Sequence, residues 1–295
     1  MDQHKMANEK HPDYPERIVS LSPSNTEILF SIGAGPNVVG VTDYCNYPPE
    51  IETRIKEDKI VRVGGYWNPS VKSIRKLKPD LVLVSTAQCT VKTNKCKSDC
   101  SRRCELTTKV ANKLKSQGLN VLTLSSHSIE DVLDTITIVG KATGNTNKAK
   151  DLVEKLRQKI DKIVANSKTS FHRPKVYFEV WNNPYISVNS KTWIGNIITL
   201  AGGKNVFGEA VSEWPIIQSE DIIQQDPDIM IFPVIPDVPR FWGDFETVKK
   251  RRGWKKITAV RNSNLYEVQR DLISRPGPRL IKALEVFAEV INPIV

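Results

Sequence analysis

Apolar residues along the chain fall into two patterns, short runs and longer stretches with helical spacing. Arg17-Ile18-Val19-Ser20-Leu21, Val38 to Thr42, Val61 to Gly64, Pro79 to Ser85 and Asn120 to Leu124 belong to the first kind. The unbroken run Leu81-Val82-Leu83-Val84 is typical of a parallel strand buried on both faces. Between these runs the pattern predicts helices at Thr26–Ile32, about Ser70–Leu77 and Val110–Gln117, the first opened by Ser24 and Glu27 as a capping box. Gly33-Ala34-Gly35-Pro36 follows a helix and precedes a strand. That order is the reverse of a dinucleotide fingerprint, so it reads as a helix stop and a turn.

A long helical stretch comes next. Ser128 to Thr143 is amphipathic, Gly144-Asn145 breaks it, and Asn147 to about Ala165 carries Ala149, Leu152, Val153, Leu156, Ile160, Ile163 and Val164 at helical spacing. Roughly 20 residues of helix span about 30 Å, enough to cross a small domain. Strand-like sequence restarts at Lys175 to Trp181, followed by a helix Trp193–Leu200, strands Asp228–Phe232 and Leu265–Val268, and a last helix Pro278–Val290. Both halves use one local grammar: Lys78-Pro79-Asp80-Leu81-Val82-Leu83 matches Asp226-Pro227-Asp228-Ile229-Met230-Ile231. The fold class expected is α/β, two Rossmann-like lobes with mostly parallel sheets joined by a single long helix. The expected divisions are a disordered tail 1–16, an N-terminal lobe 17–145 with a Cys-rich insert 89–109, a linking helix 146–168, and a C-terminal lobe 172–295.

Composition narrows the class. With 295 residues and 39% hydrophobic content the chain can bury a globular core, and a net charge of +10 makes anionic ligands, membrane surfaces or nucleic acid conceivable as partners. No run approaches the roughly 18 apolar residues of a membrane helix, so membrane insertion is not expected. The first residues, MDQHKMANEKHPDYPER, carry no apolar signal region. As written the chain reads as cytoplasmic, or as extracytoplasmic if a leader has been removed. There is no G-x-S-x-G, H-E-x-x-H or Walker A motif. The histidines His4, His11, His127 and His172 are scattered, so no enzyme is expected. Lys249 to Lys256 packs six basic residues around Trp254. A solvated helix end is the plainer reading, and no nucleic-acid module surrounds it. Trp242 and Trp254 are expected to pack a surface helix.

Residues 17–42 (RIVSLSPSNTEILFSIGAGPNVVGVT), Asn46-Tyr47-Pro48-Pro49, Leu77 to Leu83 and Leu200-Ala201-Gly202-Gly203-Lys204-Asn205-Val206-Phe207 together resemble the substrate-binding proteins of vitamin B12 and ferric-siderophore ABC transporters. The resemblance runs in order over about residues 17–292 and implies two lobes on a rigid helix with ligand between them. The vitamin B12 branch is closer, through Tyr44 to Pro49, Gly65-Tyr66-Trp67 and Trp214-Pro215. Closer still is a leaderless cobalamin-binding-like branch, similar in Tyr44-Cys45-Asn46-Tyr47-Pro48, Ala87-Gln88-Cys89 and Ser274-Arg275-Pro276-Gly277-Pro278-Arg279.

A corrin ring is a broad apolar disc with amide arms and needs aromatic walls with a few polar anchors. Trp67 and Trp214 precede helices in family-like segments, and Tyr44 follows a strand end. Loops at the carboxyl ends of strands are where open α/β sheets gather ligands. Trp181 and Trp193 are further candidates. The resemblance places Asp271 at a position that reaches ligand arms, with Arg275 beside it, while pairing with Arg270 or Arg275 to stabilise the turn is an equal alternative. The expected ligand is cobalamin or a related corrinoid, with haem or a ferric siderophore as the alternative. The expected partner is an ABC permease, with the protein itself a monomer. In the resembled family each lobe offers a glutamate to the permease. Glu220 fits the C-lobe position, and Lys72 departs from the N-lobe one.

Cys89, Cys96, Cys100 and Cys104 fall in one stretch, the last three at intervals of four. On a helix those three thiols share a face, at Cβ separations of about 5–6 Å, too long for a disulfide. They could hold zinc or an Fe–S cluster, with Cys89 or Cys45 as a fourth thiolate. Disulfides in a non-helical form, or free thiols, stay open. A cytosolic thiolate–metal protein on the same fold is therefore a rival reading.

Overall fold

The computed structural model describes residues 14–86, 100–167 and 173–292, with the backbone alone for 100–105. The first half contains β1 (Ile18–Ser20), α1 (Pro23–Ser31), β2 (Val38–Val41), α2 (Glu50–Lys56), β3 (Val61–Arg62), α3 (Val71–Lys76), β4 (Leu81–Ser85), α4 (Cys100–Ser116), β5 (Val121–Leu124) and α5 (Ile129–Ala142). Then α6 (Thr146–Ser167) runs for 22 residues. The second half contains β6 (Lys175–Phe178), β7 (Trp181–Asn182), β8 (Tyr185–Ile186), α7 (Trp193–Leu200), β9 (Lys204–Asn205), β10 (Ile216–Ile217), α8 (Ser219–Gln225), β11 (Ile229–Val234), α9 (Phe245–Lys250), α10 (Thr258–Arg261), β12 (Leu265–Gln269), α11 (Arg270–Ile273) and α12 (Leu280–Ile291).

The N-terminal sheet is parallel throughout in the order β3-β2-β1-β4-β5, and the C-terminal one is parallel in the order β12-β11-β6-β9. A small antiparallel sheet, β10-β8-β7, is added to the second lobe. One continuous core joins the inner faces of both large sheets through α1, α5, α6, α7 and α12. The helix α6 buries Ala149, Leu156 and Ile160 in it. At the crossing with α5, Gly140 admits the Ala149 methyl so closely that a side chain there would overlap it, at 2.3 Å. The outer faces are covered separately, by α3 and α4 on the first lobe and by α8, α9 and α10 on the second. The fold is thus two α/β lobes with mostly parallel sheets, joined by one long helix.

The shared Pro-Asp grammar has a shared geometry. Lys78 and Asp226 both adopt left-handed backbone, with φ of 45° and 46°, and a proline follows each. Asp80 then accepts the backbone N–H groups of Glu16 and Arg17 at 3.0 and 2.8 Å, and Asp228 accepts that of Lys175 at 2.7 Å. Asn120 and Asn264 each donate to the backbone carbonyl of these aspartates at 3.1 Å. Each lobe therefore pins the start of its first strand to the start of a neighbour. Glu16 and Arg17 are held by these bonds, and the Pro15 carbonyl accepts from Asn37 at 3.0 Å.

Two local expectations change. Ser22, not Ser24, caps α1, accepting the Asn25 N–H, because Pro23 occupies the first helical turn where a missing N–H costs nothing. Glu27 is consequently free of capping and crosses to the other lobe. Its carboxylate, 2% exposed, accepts the backbone N–H and the Nε–H of Arg279, both at 2.8 Å. Around it, Arg275 donates to Asn46 at 2.6 Å and the Arg279 guanidinium lies 3.6 Å from the Tyr47 ring centroid. The loop 274–279 is thereby fastened to the first lobe. Removing one partner of a buried ion pair typically costs about 3 kcal/mol or more. Glu27→Ala should lower stability by about that much in urea denaturation, while Glu27→Met with Arg279→Met retains most of it. A Glu27→Ala loss below about 1 kcal/mol would show that this pair does not hold the lobes.

Candidate functional site

Loops from the carboxyl ends of the two sheets meet one another, which sets a cleft between the lobes. The loop after β2 reaches Arg275 and Arg279, the α1 N-terminus after β1 faces the 274–279 loop, and the loop after β5 reaches Glu213. This is where ligands gather in open α/β folds.

On the first lobe, half-buried Tyr66 and Trp67 sit in the loop after β3, edge to face at 4.4 Å, and Tyr44 projects exposed from the loop after β2. The floor between them is polar. Ser22 and Ser85 share a hydrogen bond of 2.8 Å, Ser85 donates to Asn25 at 3.2 Å, and the Tyr66 hydroxyl donates to the Ser85 carbonyl at 3.4 Å. On the second lobe, Trp181 follows β6 and stacks on Phe241 at 4.5 Å, with its indole N–H on the Asn183 carbonyl at 3.0 Å. Trp181 is exposed and so presents a free indole face. Trp193 and Trp214 meet edge to face at 5.5 Å, and Trp193 donates to the Ile273 carbonyl at 2.6 Å. Both also lean on the core. These seven aromatic residues thus divide into a group of three on the first lobe and two pairs on the second, with Trp67 partnered by Tyr66 and Trp214 by Trp193.

Asp271 forms an ion pair with Arg275 at 3.3 Å. This is the turn-stabilising partnership, and it leaves the half-exposed carboxylate able to accept from a ligand amide as well. Glu220 and Lys72 are exposed in the first turns of α8 and α3.

Several residues gain roles that residue patterns did not reveal. His127 shares a 3.0 Å hydrogen bond with Ser125 and lies 3.7 Å from Glu213 across the cleft. Trp242 and Trp254 are fully buried beneath the outer helices of the second lobe, Trp242 stacking on Phe245 of α9 at 5.4 Å. Their indole N–H groups bond the Pro233 carbonyl at 3.0 Å and Ser219 at 2.8 Å. Arg251, within the basic run, turns inward between Trp254 and Tyr185 and clasps Glu179 with two hydrogen bonds of 2.6 and 3.0 Å. Burial pushes the Glu179 carboxyl up from its ordinary pKa, against the opposing pull of Arg251. Nothing in a linear pattern of lysines and arginines distinguishes this one, because its partner lies 72 positions away.

Among the described residues no group of three or more His, Cys, Asp or Glu side chains is arranged to hold a metal. Cys89 and Cys96, and the side chains of Cys100 and Cys104, lie outside the described residues, so the expected zinc or Fe–S set does too. Cys45 is fully buried at the end of β2, within 3.2 Å of both the Thr26 and Thr42 hydroxyls, which removes it from any exposed ligand set. Burial pushes its thiol pKa up, and the two threonine hydrogen bonds only partly offset this. A raised pKa and no exposure both suppress the reactive thiolate. In native protein at pH 8, iodoacetamide should leave Cys45 unmodified on peptide mass mapping, and urea should expose it. Fast native labelling of Cys45 would contradict the sealed site.

Two lobes on a long helix, with facing loops rich in aromatic residues, define a bilobal solute-binding protein. The sequence pattern of the periplasmic binding protein family matches residues 18–272, and the chain belongs to that family. It is similar to an uncharacterized ABC transporter substrate-binding lipoprotein, YvrC, of Bacillus subtilis, at 32% identity over 95% of this chain and 81% of that one. It is 24% identical to a vitamin B12-binding protein of Vibrio parahaemolyticus, over 95% and 89% of the two chains. A solved structure of a possible iron-binding (periplasmic solute-binding) protein from Staphylococcus epidermidis matches with a TM-score of 0.75 at 30% identity, covering 94% of this chain and 99% of that one.

Proposed function

We propose that this protein binds a corrinoid such as cobalamin in the cleft between its lobes, without chemistry of its own, and hands it to an ABC permease. The observation that carries the reading is the placement of aromatic side chains on both sides of the cleft, Tyr44, Tyr66 and Trp67 on one lobe and Trp181 with Phe241, and Trp193 with Trp214, on the other. Asp271 and Arg275 supply polar anchors for amide arms. The vitamin B12-binding relative supports this choice of ligand. A ferric chelate or haem is the second reading, favoured by the iron-binding name of the Staphylococcus relative. Because the relatives are named as lipoprotein or periplasmic proteins, we place the protein outside the cytoplasm, in place of the cytoplasmic reading of the bare sequence.

Calorimetric and absorbance titration with cyanocobalamin, and in parallel with haemin, tests the ligand. Truncating an aromatic anchor in a desolvated site costs about 2 kcal/mol or more, roughly thirtyfold in affinity. Trp67→Ala and Trp181→Ala should each weaken cyanocobalamin binding by that factor. No heat and no spectral shift with cyanocobalamin up to millimolar concentration overturns the corrinoid reading, and a shift with haemin alone selects the second.

The docking of the permease follows from charge. Glu220 on the second lobe is exposed and suited to an arginine, whereas exposed Lys72 on the first would repel one. Binding to a vitamin B12-type permease is expected to be weak and to strengthen on Lys72→Glu. Submicromolar binding that Lys72→Glu leaves unchanged would defeat two-point docking through these positions.

A further inference from the structure

The outer face of the first lobe carries a feature that the cleft does not use. Between α3 and the last turns of α4 lies an open groove of about 460 Å³, lined by Val71, Lys72, Arg75, Lys76, Lys113 and Gln117. All four of its cations are exposed. None of them forms an ion pair among the described residues, and no carboxylate lines the groove.

A shallow groove of about 310 Å³ on the second lobe provides the contrast. There Lys249, Lys250, Lys255 and Arg261 share the lining with Glu246, which pairs with Lys249 at 2.9 Å. That cluster answers part of its own charge. The groove on the first lobe does not.

Four like charges along α3 and in the last turns of α4 repel one another, and two carboxylates would relieve them at no cost to packing, since all four positions are exposed. Repulsion of this kind is offset when an anionic surface lies against it. The lining says which sort of surface. It has one apolar residue, Val71, and no aromatic side chain, so it offers no pocket for a peptide side chain to fill. It offers long flexible stems that can each find a phosphate. The protein as a whole adds to the attraction with its net charge of +10.

We infer that the Lys72–Arg75–Lys76–Lys113 groove is a docking surface for anionic phospholipid headgroups, which lays the outer face of the first lobe against a membrane. Association is electrostatic and peripheral, without insertion, in keeping with the absence among the described residues of any helix long and apolar enough to cross a membrane. The inference is independent of the ligand in the cleft.

Co-sedimentation of the full, ligand-free chain with vesicles tests it. Phosphatidylcholine vesicles containing about a third phosphatidylglycerol should retain the protein at low ionic strength, and pure phosphatidylcholine vesicles should not. Each basic residue near an anionic surface contributes about fivefold in partitioning, so the quadruple variant K72Q/R75Q/K76Q/K113Q should lose at least thirtyfold. A variant with the same change in net charge on exposed sites elsewhere, K141Q/K150Q/K155Q/K162Q, should lose only a few fold. Raising salt to 0.5 M should release the wild type, since screening then acts over a few ångströms. Equal losses in the two variants would mean that net charge, not the groove, drives binding. No retention on anionic vesicles, or retention only by a polyglutamate matrix, would also overturn the assignment, the latter in favour of an acidic protein partner. Unchanged circular dichroism and urea midpoint in both variants keep the comparison free of misfolding.

Discussion

The fold turns on one buried charge. Glu27 sits in the first helix of one lobe with almost no access to water, and among the described residues its carboxylate is answered from the other lobe, by the backbone and side chain of Arg279. A carboxylate withdrawn from water without a partner is among the most expensive arrangements a protein can hold. The two lobes therefore have to meet in one relation, with the 274–279 loop against the mouth of α1. The other cross-lobe contacts follow from that: Arg275 onto Asn46, the Arg279 guanidinium onto the face of Tyr47, and the amide of Ile129 onto Asn196 at 3.0 Å. The helix α6 packs into a core that runs through both lobes.

The aromatic residues facing the cleft are positioned by neighbours: Trp181 by Phe241 and the Asn183 carbonyl, Trp193 by the Ile273 carbonyl, Tyr66 by the Ser85 carbonyl. Side chains held in place before binding lose less conformational entropy on binding. Behind the second-lobe wall, Glu179, Arg251, Tyr177 and Trp254 form a packed polar cluster at the end of β6. Its hydrogen bonds fix the base from which the Trp181 loop departs.

Much of this was legible in the order of residues. Parallel strands buried on both faces, such as Leu81 to Ser85, announce themselves as apolar runs, and α6 announces itself by Leu156 and Ile160 at helical spacing. What was not legible has a common physical cause. The two-residue strands β7, β8 and β10 carry too few positions for any period to show. Ser24 and Glu27 fit a capping box by spacing, yet Pro23 shifted the cap to Ser22 and freed Glu27 for a partner 252 positions away. Arg251 looked like one more surface cation for the same reason. Long-range polar partners leave no local trace. Of the proposed ligand residues, Trp67 and Trp214 stood out because they precede helices in family-like segments and Trp181 because it follows a strand, whereas Phe241 became visible only through the ring it touches.

The paired Pro-Asp corners bear on how such a protein can change over generations. Asp80 and Asp228 fasten the starts of the strands, at the ends of the two sheets remote from the cleft. The architecture is thus secured away from the loops proposed to hold cargo. Loops at the opposite ends are then open to substitution without loosening the sheets, and mutations that exchange one aromatic wall or anchor for another need not be compensated in the frame. A family built this way can diversify its cargo while conserving its skeleton. Kinship with proteins named for vitamin B12 on one side and for iron on the other is what that separation would leave behind.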